Sequence, residues 1–283
     1  ESIIYSDMEE IFQLVSFPFM QRAFISCIIL SVLLGLLGTF IVPRKMAFMA
    51  DGISHASLLG IAIGLLLGVF PLALAIVIAI IMGAIVAALR NNPRITLDGL
   101  IGILLTAGMS GAIIIFALTP GYKPELFSYL FGSVVATTWV DVYVLCGLAA
   151  ITLPLLKYFW RSLVLTTVHE QLSRVMNLPA HTANYFLFIF TAITLVTGVK
   201  ILGIILVSGL LIIPVLSANL ITNSLRKAVI VTISLAILGS IVGLILSFVF
   251  DLPSGPCIAL TLIALLLGCL VVNPLLRITR TST

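Results

Sequence analysis

Long apolar stretches separated by short basic or Pro/Gly-containing connections set the pattern of this chain. They fall at residues 17–42, 52–69, 72–89, 99–118, 140–160, 184–199, 202–221, 228–250 and 257–275. A helix needs roughly 20 residues to cross the hydrocarbon of a bilayer, so each run predicts a membrane-spanning helix. The pattern predicts nine spans, or eight if the two short runs around Lys200 form broken helices rather than full crossings.

Composition supports a chain whose main solvent is lipid. Of 283 residues 61% are apolar and 8% charged, with a mean hydropathy of +1.33, whereas soluble domains carry roughly 25% charged residues. No polar block is long enough for a soluble catalytic domain, and the expected organisation is a single transmembrane domain over residues 1–283. Residues 1–16 form an outer N-terminal segment; Glu1, Asp7, Glu9 and Glu10 make it the opposite of a basic secretory start, so no cleaved leader is expected. Cys27, Cys146, Cys257 and Cys269 lie in apolar runs without C-x-x-C spacing and read as small buried hydrophobes.

Basic residues give the orientation, because cytoplasmic loops retain Lys and Arg. Arg44 and Lys45, Arg90 and Arg94, Lys157, Arg161 and Arg174, Arg226 and Lys227, and Arg277 and Arg280 occupy alternate connections and the tail, leaving only Arg22, Lys123 and Lys200 for the other side. With nine spans the N-terminus is outside and the C-terminus inside. Asp141 and Asp251 then join the N-terminal acids on the outer side, either as part of a cation-attracting field or as ordinary solvated charge.

Against this background one stretch stands out: PRKMAFMADGISHASLLGIAIG, residues 43–64. Asp51 and His55 are four residues apart, so on a helix they share a face and can grip one cation. Ionisable side chains within a span are costly, which makes the pair a candidate functional site. The alternative is an aspartate complementing the dipole at a helix start, with a hydrogen-bonded histidine nearby. Gly52, Ala56, Gly60 and Gly64 form a small-residue ridge on the same segment and predict close helix packing.

The longest polar insertion, 166–182, lies on the cytoplasmic side and predicts a short surface helix. Thr167 can cap its start, Glu170 and Arg174 pair at four-residue spacing, Leu172, Val175 and Met176 give an apolar edge, and Pro179 ends it. On the outer side, 118–141 mixes Pro and Gly with the interfacial aromatics Tyr122, Tyr129 and Trp139, and D-L-P-S-G-P at 251–256 makes a turn before the last span.

Several chemistries are absent from the sequence. There is no G-x-x-x-x-G-K-[ST] phosphate loop, so any ATP must be hydrolysed by a partner. His169–Glu170 begins an H-E-x-x-H motif that Ser173 fails to complete, and no basic-aromatic surface suits nucleic acid.

Taken together, these residues resemble the membrane permeases of zinc/manganese-type ABC importers, a family similar in fold to cobalamin and siderophore permeases. The resemblance is carried by D-G-I-S-H-A-S-L within 44–59, LFSYLFGSVVAT at 126–137, VKILGIILVSGLLIIPVLSANL at 199–220 and DLPSGP at 251–256. It implies an all-α multi-pass protein of the bacterial cytoplasmic (inner) membrane that is not itself an enzyme and has no cofactor of its own. It implies a second copy of the permease or a close paralogue, two ATP-binding subunits, and an external metal-binding protein that delivers Zn2+ or Mn2+. Asp51 and His55 become the metal-contacting pair; His169, Glu170, Leu172, Ser173, Arg174, Met176 and Asn177 become the coupling helix for the ATPase. Where the family shows a small residue and then Gly, this chain has Ser173 and Asn177, and Asn tolerates the left-handed conformation of a helix end. S-Y-L-F-G at 128–132 and Lys200 before I-L-G resemble zinc-type members, which puts zinc ahead of manganese. Two copies related by a twofold axis would offer two carboxylates and two imidazoles to one divalent ion. A competing class, the ion-coupled secondary metal carrier, would use Asp51 and His55 as a proton relay and need no coupling helix.

Overall fold

The computed structural model describes residues 17–90, 94–118, 132, 136–168, 176 and 178–281, and side chains as far as 273. Nine helices among these residues are long and apolar enough to cross a membrane. They are α1 (Pro18–Ile41), α2 (Met49–Leu67), α3 (Pro71–Leu89), α4 (Leu97–Leu118), α5 (Trp139–Val168), α6 (Ala180–Leu202), α7 (Ile204–Ile221), α8 (Leu225–Val249) and α9 (Ser254–Thr281). No strand occurs among the described residues, so the fold is all-α. The expected outer segment 1–16 lies outside the described residues.

Local chemistry sets most helix ends. Pro begins α1 and α3, where its missing N–H costs nothing and its fixed φ suits the helix. Gly68 ends α2 at φ 65°, the left-handed cap that glycine adopts without strain. At α5, Thr138 Oγ1 and backbone N–H donate to Asp141 Oδ2 at 2.8 and 2.9 Å, while Asp141 N–H donates back to Thr138 Oγ1 at 3.4 Å, a reciprocal capping box. Ser224 caps α8 by accepting from the Lys227 N–H.

Lipid supplies no hydrophobic drive between helices, so association relies on close approach and satisfied polar groups. The small-residue ridge of α2 provides the first, and it serves two neighbours. A Cβ on Gly52 would meet Ile101 Cγ2 of α4 at 2.7 Å, and Ala56 lies against Gly108 of the same helix. Further along, a Cβ on Gly60 would lie 2.6 Å from Ala75 Cα and one on Gly64 2.6 Å from Pro71 Cα, both on α3. Four-residue steps advance about 40° around a helix, so the ridge turns from α4 towards α3 as it climbs. Buried hydroxyls supply the second requirement: Ser31 of α1 and Ser240 of α8 share a 2.9 Å hydrogen bond, and Thr191, Thr194 and Thr197 donate to carbonyls one turn back.

α1, α6 and α7 pack at the centre, with α2 and α3 against α6 and α8 and α9 on the far flank. α6 and α7 are separate helices broken only at Gly203, whose φ of 80° and ψ of 162° suit glycine. Gly132 presses its backbone against the Leu202–Gly203 link. Cys27 is buried, but Cys146 is exposed on α5 and Cys257 and Cys269 are partly exposed, which corrects the expectation that all four are interior.

Candidate functional site

The path from α1 to α2 is a tight reversal. Val42–Arg44 form a 3-10 turn, Lys45 takes the left-handed conformation at φ 59°, and the Lys45 and Met46 N–H groups donate back to Val42 O and Ile41 O. Buried Met46 and Met49 anchor the turn. α2 then begins, and Asp51 stands in its first turn.

Asp51 and His55 do share a face of α2, and both are partly exposed while Gly52, Ile53, Ser54 and Ala56 between and beside them are buried. The two residues separate in what explains them. A carboxylate in a helix's first turn is favoured by the backbone dipole alone, so the position of Asp51 needs no ligand. His55 is different: its Nδ1 is buried and has no hydrogen-bond partner. A buried ring nitrogen without a partner is costly and calls for one that the described chain does not supply. Among the described residues no three His, Cys, Asp or Glu side chains converge, and Asp51 and His55 stand there as a pair.

The polar insertion at 166–182 differs from expectation at its start. α5 continues to Val168, so Thr167 does not cap a new helix; its Oγ1 donates to Leu163 O at 2.6 Å within α5. Pro179 is the N-cap residue of α6. Met176 is exposed. His169, Glu170, Leu172, Ser173, Arg174 and Asn177 lie outside the described residues.

Arg44, read from sequence only as a flanking positive charge, has a larger part. Its Nε and Nη2 donate to Thr167 Oγ1 at 3.1 and 2.8 Å, Nη2 also to Thr166 Oγ1 at 2.8 Å and Leu163 O at 3.1 Å, and Nη1 to Asn184 Oδ1 at 2.7 Å. The only sequence signal was an isolated Asn at the start of an apolar run, with nothing to say what it faced.

At the opposite end of the bundle Lys200 Nζ donates to Asp141 Oδ1 at 2.6 Å. The charge distribution puts both on the outer side, and their contact shows that they share one side. It also takes Asp141 out of any outer negative field, because its charge is paired and its side chain is only 3% exposed.

The family model described as the ABC 3 transport family matches residues 16–273. The high-affinity zinc uptake system membrane protein ZnuB of Haemophilus influenzae is 33% identical over 86% of this chain and 94% of its own length. The manganese transport system membrane protein MntC of Halalkalibacterium halodurans is 31% identical over 88% of this chain and 85% of its own. Among solved structures, PsaBC from Streptococcus pneumoniae in complex with Fab superposes with a TM-score of 0.85 at 29% identity, covering 98% of this chain and 100% of that one. An inward-facing conformation of a putative metal-chelate type ABC transporter superposes with a TM-score of 0.71 at 18% identity over 93% of this chain and 89% of that one, a likeness of fold alone.

Proposed function

The chain belongs to the ABC 3 transport family, and on that premise we propose that it is the membrane subunit of an ATP-driven importer of a divalent transition metal in the bacterial cytoplasmic membrane. The observation that carries the metal assignment is His55: a buried imidazole nitrogen without a partner, one turn from a carboxylate on the same face. Imidazole nitrogen and carboxylate oxygen together suit Zn2+ and accept Mn2+ when water or further oxygens complete its shell. Two copies of the chain supply two of each, a four-donor set.

ATP is hydrolysed by two partner subunits at the cytoplasmic face, since the sequence has no phosphate loop of its own. Residues 169–177 are the segment those subunits engage, and an external metal-binding protein loads the outer side. Charge reversal at Arg174 is expected to leave metal binding intact and to reduce substrate-stimulated ATP hydrolysis. Zinc is the first-choice ion and manganese the second; relatives named for either metal are similarly related in sequence.

The test is reconstitution in proteoliposomes with and without the ATP-binding subunits. Accumulation of radioactive zinc that requires ATP and the loaded binding protein is the expected result. Gradient-driven uptake by the permease alone would instead identify a secondary carrier. Competition between zinc and manganese in cells lacking or regaining the chain tests the choice of ion.

A further inference from the structure

Arg44 follows the last turn of α1 and precedes the reversal into α2, yet its hydrogen bonds all described above go to α5 and α6. Thr166 and Asn184 are 4% and 7% exposed, so water does not compete for them. The hydroxyl protons are already committed: Thr166 Oγ1 donates to Ser162 O at 2.8 Å and Thr167 Oγ1 to Leu163 O at 2.6 Å. Each threonine therefore turns a lone pair towards the guanidinium. The positive charge also lies against the last turns of α5, the negative end of that helix's dipole. Only a planar fork can reach a threonine pair, a helix carbonyl and an amide on a second helix at once; an ammonium would reach fewer.

The surroundings leave little slack. Phe40 of α1 meets Trp160 of α5 edge-on at 5.3 Å, and Phe159 of α5 stacks on Phe186 of α6 at 5.4 Å. Between Arg44 and Asp51 lie only the Lys45 reversal and the start of α2, held by Met46 and Met49, each at most 1% exposed. α5 and α6 are also the helices that residues 169–177 connect in sequence.

We infer that Arg44 is a positioning residue of the transport cycle: it fastens the root of the Asp51–His55 helix to the ends of α5 and α6, so that displacement of those ends is passed to the metal pair. This rests on the importer reading above. A residue that only braced the fold would affect stability and yield but would leave intact the ratio between stimulated and basal ATP hydrolysis.

The experiment uses the full complex of permease, ATP-binding subunits and zinc-loaded binding protein in proteoliposomes. Arg44→Gln is expected to keep basal ATP hydrolysis within about twofold of wild type and to lose stimulation and uptake by about tenfold or more, with Arg44→Lys recovering only a small part. Asn184→Leu, which severs the α6 arm alone, is expected to show the same split and serves if Arg44→Gln does not assemble. A wild-type ratio of stimulated to basal hydrolysis in the assembled variant, even with a lowered Tm, would overturn the inference. If wild type itself shows no response to loaded binding protein, the importer reading fails, and the inference with it.

Discussion

Lys200 Nζ sits 2.6 Å from Asp141 Oδ1, joining the last turn of α6 to the first turn of α5 at the end of the bundle away from Arg44. Asp141 is held by three groups: the lysine, the Thr138 hydroxyl and the Thr138 N–H.

Removing the lysine alone leaves a buried carboxylate without its counter-charge. Lys200→Met is expected to cost about 2 kcal/mol, less than a fully buried pair because 28% of the Lys200 side chain remains open. Asp141→Asn combined with Lys200→Met is expected to regain at least half of that loss. Chemical unfolding in detergent measures both, and strictly additive effects would show that the pair is not coupled.

Asp51→Asn and His55→Ala are each expected to reduce metal uptake to background while the protein still inserts and assembles, because each removes one of the two donors that α2 brings to the proposed site. Uptake assays paired with size-exclusion profiles decide it. Near-normal transport by either assembled variant would remove that residue from the path.

Acidity supplies a count of ligands. An imidazole binds metal only when neutral. Zinc affinity of the purified protein is therefore expected to fall on acidification. One histidine in the site gives a limiting slope of about one in log affinity against pH, and two give about two. A slope near two is expected here, and titration calorimetry at a series of pH values reads it directly.

Glycines on α2 and α4 separate packing from mere flexibility. Gly60→Val drives a side chain into the backbone of α3 at Ala75, which cannot yield as a side-chain tip could, and is expected to destabilise by about 3 kcal/mol. Gly102→Ala, with nothing within 4 Å of its Cβ, is expected to stay within about 0.5 kcal/mol of wild type. Equal effects would mean that the α2–α3 contact is looser than its geometry.

The apolar pattern marked the nine helices found among the described residues, leaving open only whether the two around Lys200 were full spans, because spans in lipid must satisfy their backbones internally and so announce themselves by length. Boundaries drifted where polar residues belonged to a helix: Thr166 and Thr167 extend α5 past the apolar run, and Ala180–Ala183 begin α6 before the next one. Asp51 and His55 were legible because their relation is local, four residues on one face. Arg44 was not, since its partners are more than a hundred residues away in sequence, and a single arginine after a span looks like a topological charge. Lys200 and Asp141 were placed on one side by counting, but only the fold brought them into contact.

The ridge on α2 restricts how this protein can move. Near its root the helix lies backbone-close to α4 at Gly52 and Ala56, and towards its far end to α3 at Gly60 and Gly64. Held at two bearings that face different ways, α2 can neither spin nor slide by itself, because at Gly60 and Gly64 no flexible side chain stands between the chains to absorb the motion. Any stroke that carries Asp51 and His55 must carry α2 together with α3 and α4.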